Sequence, residues 1–154
     1  QLDRFSLKLS MGYPTLDEEI KIVENRRDSN PLESVKSVAG VPLIKFLRTL
    51  VTDVHIDANL YKYMVMLVAA TRTHSAVSLG ASPRASLALK RLCQAYSFMH
   101  SRNFVIPEDI ADIFRVSVGH RLNLKQEAKL AGINCDTVID EVLRTVQVPF
   151  KGAR

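Results

Sequence analysis

The stretch Gly80-Ala81-Ser82-Pro83-Arg84 places a serine and a proline, both suited to start a helix, directly ahead of an arginine. Exposed amides at a helix start carry partial positive charge, so acids suit that position and cations do not. Three other helix starts in this chain obey the rule, with Asp17-Glu18-Glu19, Asp57 and Glu108-Asp109. Arg84 breaks it, at a cost of about 0.3–1 kcal/mol if exposed. Unpaired amides, small residues that admit a close neighbour, and a guanidinium together suit an anion, phosphate foremost. Two readings stand on these residues alone. Either Arg84 faces an anion, or it points into water or pairs with a carboxylate elsewhere.

Other chemistry-bearing residues lack a productive spacing. His55, His74, His100 and His120 are spread along the chain, and no His or Cys pair has the close spacing of a structural zinc site. Metal binding is therefore not expected. Cys93 falls on the apolar side of an expected helix and Cys135 at the start of another, which suits packing better than nucleophilic catalysis. The chain holds 154 residues with a formal charge of +5, a balance that invites a test for nucleic-acid binding. Its basic residues, among them Arg26, Arg27, Arg48, Lys62, Arg72, Arg102, Lys125 and Lys129, fall on different elements with no interleaved aromatic platform. Lys90 and Arg91 accompany Arg84 on the polar side of one helix. A solvated surface explains this pattern, and a free-standing nucleic-acid or adaptor module is the alternative.

The elements that must position Arg84 are helices. Thr15-Leu16-Asp17-Glu18 is a capping box opening a helix to about Arg27, stopped by Asp28-Ser29-Asn30-Pro31. Pro42 opens a second helix with Ile44, Leu47 and Val51 on one side. Asp57 caps a third, with Leu60, Tyr63, Met64, Leu67, Val68 and Thr71 as its buried face. Ser82 and Pro83 start a fourth, with Ala85, Ala88, Leu89, Leu92, Ala95, Tyr96 and Met99 as its apolar stripe. Pro107 opens a fifth carrying Ile110, Ile113, Phe114 and Ser117, and a last follows Asn134 with Cys135, Val138, Ile139, Val142 and Val146. Residues 120–124 read as a connector between these two.

Ahead of the helices, Phe5, Leu7, Leu9 and Met11 alternate with Ser6, Lys8 and Ser10, the period of a strand, until Gly12-Tyr13-Pro14 ends it. No second stretch of that kind follows, and a strand needs a partner. The expectation is a mainly α chain: a small helical bundle preceded by one orphan β-strand from a truncated α/β core lying upstream. The longest apolar run, residues 64–70, is far short of the roughly 18–20 residues a membrane span needs, and residue 1 onward shows no signal pattern. A reducing, cytoplasmic setting is expected from the two unpaired cysteines.

The segments Gln1-Leu2-Asp3-Arg4-Phe5 and Gly80-Ala81-Ser82-Pro83-Arg84-Ala85 resemble, in order and spacing, the end of the ATPase core and the lid signature of MoxR-type AAA+ ATPases. Gly12-Tyr13-Pro14, Asp17-Glu18-Glu19 and Pro107-Glu108-Asp109-Ile110 match the same pattern, so the resemblance covers nearly the whole chain. It implies that residues 1–14 are the last strand of an AAA+ core with its linker, 15–150 the helical lid, and 151–154 a tail. It implies that Arg84 is the lid's sensor-2 arginine, reaching the γ-phosphate of ATP held by the missing core of the same subunit, with Ser82 and Pro83 beside it. Arg4 falls where the family carries its arginine finger, acting on the neighbouring subunit's nucleotide; on the residues alone it reads first as a salt bridge at a strand start. The resemblance further implies ATP and Mg2+ as ligands of the parent protein, a homo-oligomeric ring of six, a lid that rotates as nucleotide changes, and chaperone-like help to a client protein. The chain lacks a Gly-x-x-x-x-Gly-Lys-Ser/Thr loop and a strand ending in paired acids, so these residues alone are not expected to hydrolyse ATP.

Overall fold

A computed structural model describes residues 2–25 and 31–148. Gln1, the expected end of the first helix near Arg27, the break at residues 28–30 and the tail lie outside them. The chain divides into two compact units, one of Gln1–Lys8 with Thr49–Arg154 and the other Leu9–Arg48.

In the smaller unit, α1 (Leu16–Asn25) starts at the expected capping box. The Thr15 amide donates to Glu18 Oε2 at 2.8 Å, and the Glu18 amide donates back to Thr15 Oγ1 at 3.4 Å. The Thr15 amide and the Thr15 hydroxyl, which also donates to Glu18 Oε2 at 2.8 Å, hold the Glu18 carboxyl below its ordinary range. A 3-10 turn at Pro31–Ser34 leads to α2 (Val41–Thr52), which begins one residue before Pro42. The apolar residues of α1, Leu16, Ile20 and Val23, are exposed.

The larger unit owes its core to α3 (Ala58–Thr73), α4 (Pro83–Met99), α5 (Pro107–Val118) and α7 (Cys135–Thr145), which pack on one another. The buried side of α3 is the expected set, Leu60, Tyr63, Met64, Leu67, Val68 and Thr71, repeating every three and four residues as a helix face must. Phe114, Leu89, Ile110 and Val138 are fully enclosed among them. The stripe of α4 differs from expectation. Its buried residues are Ala85, Leu89, Cys93, Gln94 and Ser97, while Met99 is exposed and Ala88 and Leu92 are half-buried. Cys93 and Ser97 both bond Asp109 of α5, so small side chains take the core side of α4 where the two helices meet.

Three short elements escaped the sequence reading. β1 (Val77–Leu79) pairs antiparallel with β2 (Asn123–Leu124), with Val77 opposite Leu124, and α6 (Gln126–Leu130) follows. Elements this short contain too few residues for a period to register. The strand expected over residues 5–11 does not form among the described residues. Leu2–Arg4 is instead a 3-10 turn, and the following stretch carries no regular element. Alternation supplies a strand's faces, but its hydrogen bonds require a neighbour, and no described segment pairs with this one. The Lys8 amide donates to the Val116 carbonyl at 2.9 Å.

Candidate functional site

The N-terminus of α4 is fixed by a tight corner with α3. Thr71 Oγ1 accepts from the Ala81 amide at 3.0 Å, and Arg72 Nε donates to the Ala81 carbonyl at 2.8 Å. A Cβ on Gly80 would stand 2.6 Å from Arg72 Cα and 2.8 Å from the Thr71 carbonyl carbon, so only glycine fits between these backbones. The small residues that looked suited to an approaching anion are therefore used by α3, whose backbone crowds residue 80 and whose Thr71 and Arg72 side chains bond residue 81. Ser82 then caps α4, its Oγ accepting from the Arg84 amide at 3.2 Å. The same hydroxyl donates to Asp3 Oδ2 at 3.0 Å.

Asp3 supplies the negative charge that the arginine-led helix start lacked. Its second oxygen accepts from Arg121 Nη1 at 2.7 Å. Partial burial opposes ionisation of Asp3. The Ser82 hydroxyl, the Arg121 bond and charge, and the Arg84 charge outweigh it and hold the carboxyl below its ordinary range. Arg121 is almost wholly enclosed, 2 % exposed in its side chain, and sits in the 3-10 turn Gly119–Arg121 that ends α5.

Around this ion pair opens a groove of about 320 Å³ whose lining includes Arg4, Arg84, Arg91 and Arg121, with Asp3 the one acid. Helical period explains the α4 contribution. Arg84, Leu87, Ala88, Arg91 and Leu92 stand three, four, seven and eight residues along from the first, one helix face, and make one wall. Arg4 and Arg84 are both exposed, and the fold brings these two sequence-picked arginines into the same groove. Ser82 and Pro83 do not line it; Ser82 holds the helix start and Asp3 instead. Sequence reasoning missed Asp3, Arg121 and the groove-facing role of Arg91. Arg91 was legible as the residue seven beyond Arg84, whereas Arg121 lay in a stretch without period. An excess of guanidinium groups at a helix start is chemically a receptor for phosphate or carboxylate oxygens.

The other candidates stay structural. Cys93 is buried, and burial with the nearby Asp109 charge pushes its thiol well above the ordinary range, so it is no nucleophile. Burial likewise raises Cys135. Among the described residues no group of His, Cys, Asp or Glu side chains could hold a metal ion, and no helix is long and apolar enough to cross a membrane.

Comparison with known proteins matches residues 69–142 to the AAA lid domain. The "Uncharacterized protein YeaC" of Bacillus subtilis is 40% identical over 98% of this chain and 47% of its own length. "Chaperone MoxR1" of Mycobacterium tuberculosis is 32% identical over 97% of this chain and 41% of its own. A crystal structure of a "putative ATPase" from Cytophaga hutchinsonii superposes with a TM-score of 0.85 at 29% identity, over 97% of this chain and 48% of the other. The chain thus spans less than half the length of the curated relatives it matches.

Proposed function

Since the chain belongs to the MoxR-type AAA+ proteins and carries their lid domain, we propose that it is the part of a ring-forming ATPase that senses and stabilises the nucleotide's phosphates. Supporting this is one observation: Arg4 and Arg84 line a single groove. Guanidinium groups placed on phosphate oxygens stabilise the charge that develops as the terminal phosphoryl group leaves, and they hold the nucleotide in line for attack. Sharing one groove supports a reading in which both arginines meet one nucleotide, in place of the same-subunit contact that the resemblance implies for Arg84. If Arg4 reaches a neighbouring subunit in a homo-hexameric ring, Arg84 reaches it too. ATP and its Mg2+ are held chiefly by the remainder of the protein, and the arginine-rich, carboxylate-poor groove fits the phosphate and not the metal. Lid movement driven by phosphate release would then be passed to a client protein in a chaperone cycle, as the name of the Mycobacterium relative suggests for that protein.

Arginine substitutions in the full-length protein test this. Arg4→Ala is expected to lower kcat for ATP by about 1,000-fold, the scale of an arginine finger, and Arg84→Ala by about 100-fold. Circular dichroism should show both variants folded, since neither side chain is buried. Wild-type turnover from either variant counts against its assignment.

A further inference from the structure

The reading of Arg4 and Arg84 as phosphate contacts leaves open what sets the distance between them, and the bonds of Arg121 address that. Its Nε donates to the Ser117 carbonyl at 2.8 Å, anchoring the side chain to the end of α5. The remaining bonds leave the bundle. Nη1 donates to the Asp3 carbonyl at 3.0 Å and to Asp3 Oδ1 at 2.7 Å, and Nη2 donates to the Phe5 carbonyl at 2.8 Å. Asp3 and Phe5 flank Arg4, so one guanidinium grips the backbone on both sides of the residue that lines the groove. His120 Nε2 lies 2.9 Å from the same Phe5 carbonyl, which makes the turn a two-residue bracket. Asp3 Oδ2, through Ser82 Oγ, then ties that bracket to the Arg84 amide.

From this geometry we infer that Arg121 is a positioning residue: it fixes Arg4 against the N-terminus of α4 and so sets the spacing of the two groove arginines. A residue needed only to close the bundle would find its acceptors there. Three of the four acceptors of Arg121 lie instead on the segment that carries Arg4. The planar fork matters, because it makes four bonds at once, to the Ser117, Asp3 and Phe5 carbonyls and the Asp3 carboxylate, where a lysine ammonium has three donors. The inference rests on the proposed role of Arg4, and it assigns Arg121 no contact with nucleotide.

Two measurements on the full-length protein decide it. In Arg121→Gln, amide hydrogen exchange over residues 2–8 should quicken by about tenfold while that of α3 and α5 stays as in wild type. The kcat for ATP should fall by about 10- to 100-fold, the cost of misplacing a catalytic group by about 1 Å, with KM changed less than about threefold. Introduced into Arg4→Ala, the same substitution should change kcat less than about twofold, because Arg121 acts through Arg4. Unchanged exchange over residues 2–8, or losses that multiply in the double variant, would overturn the inference. Should Arg121→Gln not fold, Asp3→Ala cuts the link to Ser82 at the half-exposed end of the pair, with the same exchange and double-variant outcomes expected and the same ones overturning it. The two readings separate cleanly: full turnover in Arg4→Ala overturns the finger and this inference together. A large loss in Arg4→Ala with multiplying losses from Arg121→Gln overturns this inference alone.

Discussion

Helix α4 has a serine, an aspartate and an arginine joined at each end, and the two sets are built inside out from one another. At the C-terminal end Asp109 is the enclosed member, 3 % exposed in its side chain, and Arg102 is the outer one. At the N-terminal end Arg121 is enclosed and Asp3 is 40 % exposed. Asp109 accepts from Ser97 Oγ at 2.7 Å, the Ile106 amide at 3.0 Å and both terminal nitrogens of Arg102. All of those donors lie within twelve residues, so the set is a local clasp between α4 and α5 with its acceptor sites filled. The Asp3 set reaches across 79 residues to Ser82 and 118 to Arg121, and it opens on a groove lined by further guanidinium groups. Burying the acid makes a lock. Burying the base, and leaving the acid at the rim, makes a bracket that holds cations toward solvent.

Removing each acid should expose that contrast. The largest effect is expected from Asp109→Ala, which strands a buried hydroxyl and a helix-start amide beside an unpaired guanidinium. About 3 kcal/mol of stability should be lost, read as an earlier midpoint in denaturant unfolding. A loss below about 1 kcal/mol would mean that the clasp is not a lock. Ser82→Ala should cost about 1 kcal/mol for the lost cap. It should also loosen Arg4, visible as faster exchange over residues 2–8, a symptom that Asp109→Ala should not share. The smallest effect is that of acid. Both carboxyls are held below their ordinary value of 3.8: for each, burial pulls upward and is outweighed, in Asp109 by Arg102, the Ile106 amide and Ser97. A lowered folded value means that their contribution is complete above the ordinary value and fades as pH falls through the folded one. Thermal midpoints should hold steady from neutral pH to about pH 5 and decline only in stronger acid. Asp109→Ala should flatten that decline more than Asp3→Ala.

Much of this was legible in advance, for reasons that particular residues make plain. The buried side of α3 could be named because six residues repeat at helical spacing, and the caps at Thr15, Asp57 and Ser82 could be named because each is a short polar side chain that bonds an amide two or three residues on. Arg84 stood out because a cation at a helix start breaks a local electrostatic rule. What answers it, Asp3, could not be read from spacing, since the two are brought together by folding over a separation no period encodes. Arg121 was hidden for the same reason. Gly80 misled in an instructive way: smallness signals a close approach without saying what approaches, and here it is the backbone of α3.

That corner also has a mechanical meaning. With no room for even one methyl group at residue 80, and with hydrogen bonds from Thr71 and Arg72 closing on Ala81 from two sides, the joint between α3 and α4 has no play. A pull on Arg84 is a pull on the last turn of α3. The elbow between α3 and α4 is therefore welded, and residue 80 offers the larger unit no pivot.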